Sequence, residues 1–307
     1  MKLIKPNVEE WHCGYTLPEI WSHIAKCSRI CYQSEPRNNG ETDEEFVRRV
    51  ILRNHSFDEI AKSRELQLKL HLSVLEHGTV YLDIPCEEDT TECIMFFSHN
   101  YYSKHVYVFG SKCYITTNMR VIVEQGFTKY LKYICAPTKH HYLRTTFNII
   151  TDIGVARELA RHRTHSISEE STRYCNYCKD KFDNQLTFII PDWIDIPNCE
   201  VNSKNAYKLK ITDNRNNNFA YKLDVYYFIH ELLRIEKTYI NLIKSQSPQQ
   251  RRQILPLSTK VQTIHTAFNS DWNEFVKLRS DACSGSVHPN MKVIADKIKC
   301  LMAKENA

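Results

Sequence analysis

The stretch RHRTHSISEESTRY, residues 161–174, combines three arginines, two histidines, two adjacent carboxylates and several hydroxyls, without a glycine or a proline. Upstream of it, apolar side chains recur at helical spacing, at Ile153, Val155, Ala156, Leu159 and Ala160. This period predicts a helix from Gly154 to about Arg163. Arg157 and Arg161 are four residues apart and would lie on one face of it.

The apolar period stops after Arg163, and the Ser/Thr-rich run that follows is typical of a tight, hydrogen-bonded loop. A helix end with such a loop places guanidinium forks beside backbone and hydroxyl donors. Because guanidinium groups bind anionic oxygens in pairs, the segment favours a phosphorylated, planar, anionic ligand. A solvated charged helix is the alternative interpretation, and it is the usual one for an isolated run of charges.

The composition is that of a soluble globular protein, with 42% apolar and 25% charged residues among 307 positions. No apolar run approaches the ~20 residues of a membrane helix. The N-terminal MKLIKPNVEEWH also lacks the long apolar core of a secretory signal, so we expect a cytoplasmic protein without membrane contact. A net charge of +5 suits phosphorylated small molecules and does not require nucleic acid.

Glycine and cysteine usage restricts the kinds of binding site that the chain can build. Seven glycines occur, and neither GxGxxG nor GxxxxGKS/T is present, so a glycine-rich phosphate cradle is not expected. Arginine side chains and helix ends would have to hold a bound dinucleotide instead. Among twelve cysteines, Cys175 and Cys178 form one CxxC pair without a second ligand pair, so we expect reduced thiols and no metal.

The charged segment also carries a spaced motif. Arg161-His162-Arg163 is followed by seven residues, Thr164 to Glu170, and then by Ser171. This spacing resembles the signature of flavin-dependent thymidylate synthases, and the longer family pattern is matched at Glu169, Ser171, Arg173 and Tyr174. A motif of this length is far more specific than a short glycine pattern.

Four further segments resemble the same family, in its order along the chain: Arg29–Ser34, His71–His77, Arg252 to Pro256, and Phe275–Arg279. The segment from His71 to His77 resembles a His-rich turn that meets the flavin and the folate. Either histidine alone would normally be interpreted as a satisfied core residue, but the spacing of Ser73 and Glu76 adds to the pattern. We favour a functional role for His71 and Ser73 and a structural role for His77.

The resemblance implies an α+β fold with helices around a mixed β-sheet, assembled as a homotetramer with active sites at subunit interfaces. It implies bound FAD, NADPH as reductant, 5,10-methylenetetrahydrofolate as carbon donor, and conversion of dUMP to dTMP without a cysteine nucleophile. We expect one domain over residues 1–307. An insertion at about 85–140 would form a surface hairpin with helices, and residues 198–220 would form a loop.

The resemblance also assigns roles to the matching residues. Cofactor binding falls to His71, Ser73, Arg161, His162, Arg163, Glu169 and Asn269. Binding of dUMP falls to Glu158, Arg161, Glu169, Glu170, Ser171, Thr172, Arg173, Arg252 and Arg279. Arg279 and Ser171 are the catalytic candidates. Arg279 would stabilise negative charge on the uracil, whereas Ser171 would position the base, because no general base is paired with it in the sequence.

Two positions depart from the family pattern. Glu158 stands where glutamine is common, so it would contact sugar hydroxyls or base edges and not a phosphate. Glu274 stands where histidine or asparagine is common, and the run before it reads Ala267-Phe268-Asn269. We therefore expect the adenine end of FAD to be held differently in this chain.

Two other classes of protein are alternatives. A zinc-dependent hydrolase or deaminase would use Cys175, Cys178 and a histidine, although the HxE motif of such enzymes does not occur in the expected order. A nucleic-acid-binding module would place the arginines on phosphates, although no signature of such a module is present. The visible absorbance of a bound flavin would eliminate both.

Overall fold

The computed structural model describes residues 1–36, 40–87, 90–108, 112–206, 219–283 and 285–305. Its strands are β1 Lys2–Ile4, β2 Asn7–Trp11, β3 Thr79–Pro85, β4 Lys104–Val108, β5 Lys112–Asn118, β6 Arg144–Asp152, β7 Ser166–Glu169, β8 Thr187–Ile189, β9 Cys199–Glu200 and β10 Lys260–Phe268. Its α-helices are α1 Leu17–Ile30, α2 Asp43–Val50, α3 Phe57–Lys62, α4 Arg64–Lys69, α5 Thr91–His99, α6 Met119–Glu124, α7 Ile153–Leu159, α8 Phe219–Asn241, α9 Pro248–Arg251, α10 Asn269–Arg279 and α11 Pro289–Glu305. Short 3-10 helices span Leu72–His77, Phe127–Tyr133, Asp180–Phe182, Leu242–Lys244 and Arg252–Ile254.

The described strands form three sheets. The central sheet has the order β2-β6-β10-β7 and is antiparallel, with β6 and β10 paired along their whole lengths from Arg144–Phe268 to Asp152–Lys260. The second sheet is β8-β1-β9, in which β1 and β8 run parallel, and the third is β3-β5-β4. The α+β fold class is confirmed, with the strands divided among several small sheets.

Helices cover both faces of the central sheet. On one face, α7, α10 and α11 pack against the alternate side chains Phe147 and Ile149, and the apolar stripe of α11 at Met291, Ile294 and Ile298 is buried there as its spacing predicts. On the other face, α1 packs through Cys27 and Ile30 against Ile264. Among the described residues, no helix is both long and apolar enough to span a membrane.

The predicted surface insertion proves to be part of a core. The hairpin of β4 and β5 is present, but β5 also pairs with β3 along the full length of both strands. The surface position expected for residues 85–140 is therefore wrong, because the insertion supplies β5, the strand that pairs with β3. Apolar side chains of the insertion also fill the adjoining core: Cys93, Phe97, Cys113, Ile115, Met119, Ile122 and Tyr130. Residues 109–111, between β4 and β5, and residues 207–218 of the expected loop lie outside the described residues.

The signature helix is shorter than its sequence predicts. The helix α7 ends at Leu159, four residues before Arg163, because backbone hydrogen bonds from His162 to Leu159 and from His165 to His162 close tight turns instead of continuing the helix. The prediction of a loop in the Ser/Thr-rich run is also wrong over residues 166–169. These residues form β7, which pairs with β10 and buries the hydroxyl of Ser168.

Candidate functional site

The turn after α7, residues 161–165, carries much of the signature motif and is called here the cationic turn. Arg161 and Arg163 point outward and are exposed, whereas His162 is half-buried and His165 is buried. The inward rings pack on α10, with the ring centroid of His162 lying 4.9 Å from that of Phe275. The charged side chains of the turn therefore face solvent, whereas its imidazole rings face α10.

Arg279, the last residue of α10, contacts the signature segment from a distant part of the chain. Its Nε donates to Nε2 of His162 at 3.2 Å, and its Nη1 donates to a carboxylate oxygen of Glu158 at 3.4 Å. Burial, together with the charges of Arg279 and Arg161, lowers the pKa of His162 to about 4. The imidazole is consequently neutral and can accept this bond, so the structure brings three predicted site residues into contact.

The two outward arginines of the cationic turn keep their donors free of other protein groups. Within the described part of the chain, neither the side chain of Arg161 nor that of Arg163 makes a hydrogen bond or an ion pair. The exposed Arg252, at the start of a 3-10 helix, likewise has no side-chain bond among these residues. These guanidinium groups are available to an anionic ligand.

His165 of the cationic turn and His265 of β10 form a buried, uncharged pair. Nδ1 of His165 lies 3.3 Å from Nδ1 of His265 in β10, and the ring centroid of Trp272 lies 4.2 Å from that of His165. Burial lowers the pKa of His165 to about 2 and that of His265 to about 3, so both rings are neutral. Sequence reasoning did not select either residue, and a single histidine in a threonine-rich strand gives no signal that could have identified His265.

The loop of residues 170–178, called here the anchored loop, is fixed by buried charge. Glu170 is 1% exposed, and its carboxylate accepts hydrogen bonds from Lys260 Nζ at 2.7 Å and from the Tyr177 hydroxyl at 2.9 Å. The backbone N–H of Ser171 donates to the carbonyl of Cys31 at 2.9 Å. Because protein donors occupy both carboxylate oxygens of Glu170, its role in binding dUMP stays a prediction that this geometry does not favour.

The predicted phosphate-binding side chains lie at the rim of the anchored loop. Arg173 is exposed, and its Nε donates to Oε1 of Gln249 in α9 at 3.2 Å. Arg252 follows Gln249 by three residues, so the two predicted arginines share one neighbourhood. Ser171 and Thr172 are half-buried between them and the core, and the exposed Glu169 precedes the loop at the end of β7.

The His-rich segment divides into exposed and buried residues. His71 and Ser73 are exposed, and neither forms a side-chain hydrogen bond within the described chain. His77 is fully buried, where it bridges Thr266 at 2.8 Å and Ser168 at 3.0 Å, and burial lowers its pKa to about 3. His77 thus has the structural role expected for it, and it links this segment to β7 and β10.

Helix α10 positions the remaining candidates. Oδ1 of Asn269 accepts a hydrogen bond from Thr145 at 2.7 Å, which fixes the start of the helix against β6. Glu274 pairs with Lys277 at 2.6 Å on the exposed face. Asn269 and Glu274 therefore have protein partners, and the role of Asn269 at the cofactor stays a prediction.

A pocket of about 150 Å³ opens between the insertion and the cationic turn. Thr164 and Ser166 contribute the signature side of it, and the Nζ of Lys104 lies 4.5 Å from the ring centroid of Phe268. Its remaining lining residues are Tyr101, Tyr102, Asn118, Arg144 and Asp271. The pocket therefore combines two cations with aromatic surface beside the signature motif.

The CxxC pair lies in the anchored loop, behind the candidate site. Cys175 is buried, and burial raises the pKa of its thiol to about 12, which suits neither a nucleophile nor a metal ligand. Cys178 is half-buried and accepts a hydrogen bond from Arg251. Across the described ranges, no three His, Cys, Asp or Glu side chains are grouped so as to hold a metal ion.

Comparisons with known proteins give one family and several distant structures. Residues 104–305 match the family model described as thymidylate synthase complementing protein. The UMP/dUMP methylase PolB from Streptomyces cacaoi, solved with 5-Br UMP, matches with a TM-score of 0.42 and 16% identity over 98% of this chain and 91% of its own. Thymidylate synthase X from Helicobacter pylori, solved with FAD and dUMP, matches with a TM-score of 0.35 and 16% identity over 95% and 91%. A search of curated protein sequences finds no significant match.

Proposed function

The chain belongs to the family of flavin-dependent thymidylate synthases, and we propose that it carries out that reaction, the reductive methylation of dUMP to dTMP. In this proposal 5,10-methylenetetrahydrofolate donates the carbon, FAD carries the hydride, NADPH is the reductant, and no cysteine acts as nucleophile. The enzyme would be a cytoplasmic homotetramer with active sites between subunits.

The observation that carries the proposal is the contact between Arg279 and His162. These residues are 117 positions apart, yet a hydrogen bond of 3.2 Å joins the end of α10 to the signature motif. The neutral imidazole carries no charge to offset that of Arg279, whose ion-pair partner is the carboxylate of Glu158 at 3.4 Å. A guanidinium held in place by these two groups is suitable for stabilising negative charge on a bound base.

The free arginines support the binding of FAD. A dinucleotide needs donors for its pyrophosphate, and this chain has no glycine-rich cradle to supply them. Arg161 and Arg163 are exposed and lack protein partners within the described residues, so the donor set present fits a ligand whose phosphates are held by side chains. When bound, the flavin would supply hydride transfer.

The protein residues would bind and polarise the nucleotide. Arg173 and Arg252 would hold its phosphate from the rim of the anchored loop, while the half-buried Ser171 would position the uracil. Arg279 would face the O2, N3 and O4 edge of the base, where negative charge grows as C5 becomes nucleophilic. Because that charge is larger in the transition state than in bound dUMP, the contact would lower the barrier and not merely tighten binding.

The exposed His-rich residues support a site completed by a second subunit. His71 and Ser73 are turned to solvent and have no hydrogen-bond partner in the described part of this chain. We propose that they meet the flavin and the folate across an interface. His71→Ala should then impair methylene transfer more than NADPH oxidation, and an equal effect on both half-reactions would assign His71 to the scaffold.

The test of the proposal is spectroscopic and then catalytic. The purified protein should show the visible absorbance bands of a flavin, and with NADPH and the folate it should form dTMP from dUMP. UMP should be assayed in parallel, because a family relative is a UMP/dUMP methylase. Methylation of UMP alone would correct the substrate, and a colourless protein that does not bind added FAD would reject the proposal.

The same samples separate the two alternatives. A zinc-dependent hydrolase predicts stoichiometric metal and loss of turnover in Cys175→Ser, whereas we expect turnover in that variant to stay within a small factor of wild type. A nucleic-acid-binding module predicts binding that weakens steeply with salt, which we do not expect.

A further inference from the structure

Arg251, at the end of α9, packs a buried positive charge against the anchored loop, and no carboxylate of the described residues balances it. Arg251 is 1% exposed, and its guanidinium donates to Cys178 Sγ at 3.1 Å, to Oδ1 of Asn176 at 2.9 Å and to the carbonyl of Tyr239 at 3.3 Å. Its Nε has no hydrogen-bond partner in the described structure, and its carbon Cζ lies 4.5 Å from the ring centroid of Tyr239. Within the described residues, no Asp or Glu side chain contacts it.

A guanidinium in a dry environment requires a counter-charge, because an unpaired ion loses its hydration without compensation. Among the groups that contact Arg251, Asn176 and the carbonyl of Tyr239 are neutral, whereas the sulfur of Cys178 can become an anion. An arginine next to a cysteine favours the thiolate form of its side chain. The contact therefore selects Cys178 as the anionic partner of Arg251.

We propose that Cys178 is held as a thiolate by Arg251 and is a modification site, reactive toward hydroperoxides and soft electrophiles. Cys178 is only half-buried, so small reagents can reach its sulfur. With a hydroperoxide, the sulfur attacks one peroxide oxygen, the O–O bond breaks, and the departing oxygen leaves as hydroxide or alkoxide and is then protonated. The sulfur is oxidised to a sulfenic acid, and the peroxide is reduced to water or an alcohol.

The other titratable groups near Cys178 do not compete for this charge. Tyr239 of α8 and Tyr177 and Cys175 of the anchored loop all have pKa values raised by burial, so they stay neutral near pH 7. The charge of Glu170 is matched by Lys260. The site is separate from the proposed reaction, but Cys178 lies in the loop that carries Ser171 and Arg173, so its modification would act on that loop.

The test is limited labelling of the native protein with iodoacetamide, with each cysteine read out by peptide mass spectrometry. Cys283 and Cys300 are exposed and serve as controls in the same sample. At about pH 6, where ordinary thiols are protonated, Cys178 should react at least about tenfold faster than either control. Labelling of Cys178 that is no faster than that of the controls at this pH would overturn the proposal.

Variants of Arg251 test whether its charge causes the reactivity of Cys178. Arg251→Gln should reduce labelling of Cys178 at about pH 6 by about tenfold or more, whereas Arg251→Lys, which keeps the charge, should retain most of it. Undiminished labelling in a folded Arg251→Gln protein would overturn the pairing. If that variant does not fold, the wild-type comparison with Cys283 and Cys300 decides alone. Brief exposure to hydrogen peroxide followed by dimedone should give an adduct at Cys178, and adducts only at the two controls would contradict the proposal.

Discussion

The cationic turn and the anchored loop lie within one stretch of sequence, separated by the four residues of β7, yet they use charge in opposite ways. In the turn, the side chains of Arg161 and Arg163 are exposed and make no hydrogen bond or ion pair with described residues. In the loop, Glu170 is buried against Lys260, and Arg251 is buried against the loop from α9. The turn thus leaves its charged side chains available, as the proposed binding of FAD requires, whereas the loop uses its charge to fix its own position.

The largest effect should come from breaking the buried pair of the anchored loop. Lys260→Met leaves the carboxylate of Glu170 buried without its cation, so unfolding free energy should fall by about 3–5 kcal/mol. Denaturant unfolding of the variant and the wild type measures this loss of unfolding free energy. The matched control is Lys277→Met, which removes the exposed pair with Glu274 and should change stability little. Equal effects in the two variants would show that the loop is not anchored by this pair.

The next effect should appear in catalysis, where Arg279 meets the cationic turn. Arg279→Ala should slow single-turnover dTMP formation in pre-reduced, dUMP-saturated enzyme by about 10²–10³, or ~3–4 kcal/mol, while FAD stays bound. Arg279→Lys should not restore the rate, because an ammonium lacks the planar fork.

The control for this measurement is Lys277→Ala, on the same helix but in an exposed ion pair. It should turn over at nearly the wild-type rate. A wild-type rate in Arg279→Ala would show that another cation polarises the uracil, and Arg173 would be the first candidate to examine.

A smaller effect is expected for the exposed charge of the cationic turn itself. Arg163→Ala removes one charge-assisted contact to the flavin phosphates, worth about 1.5–3 kcal/mol, so FAD should bind roughly tenfold to a hundredfold more weakly. Absorbance after gel filtration gives the occupancy. Arg234→Ala, at an exposed arginine paired with Glu231, is the matched control. Unchanged occupancy in Arg163→Ala would mean that the free cation does not serve the cofactor.

The smallest effect concerns the neutral histidines behind both regions. The pKa of His77 is about 3 in the folded protein, below its ordinary value of 6.5. As pH falls below 6.5, the unfolded chain takes up the proton first, so stability decreases through the window from 6.5 down to 3. Between pH 7 and about 5.5 this histidine should account for about 1 kcal/mol of that loss.

In His77→Gln, the loss of unfolding free energy between pH 7 and about 5.5, measured by denaturant unfolding, should be smaller than in the wild type by about 1 kcal/mol. His12→Gln, at an exposed histidine, should leave the dependence as in the wild type. An unchanged slope in His77→Gln would assign the acid sensitivity to the other buried histidines, His165 and His265 among them.

Elements with a strong local period were predictable, and elements defined by long-range partners were not. The strand β3, the helix α1 and the apolar stripe of α11 follow directly from side-chain spacing. The strand β10 was missed, because threonines and a histidine interrupt the apolar alternation of KVQTIHTAF, and only its pairing with β6 and β7 makes it the centre of the sheet. The insertion was misplaced for the same reason, since its ladder with β3 joins segments separated in sequence.

The sequence by itself determined the family, the absence of a glycine-rich cradle and the identity of the charged groups. Only the tertiary structure decided which charges are free. Arg251 and Arg252 are adjacent in sequence, yet Arg251 is buried against the anchored loop and Arg252 is exposed, because one residue of helical rotation turns a side chain from core to solvent. The contact of Arg279 with His162 likewise depends on how α10 packs against the cationic turn, and these two segments are far apart in the sequence.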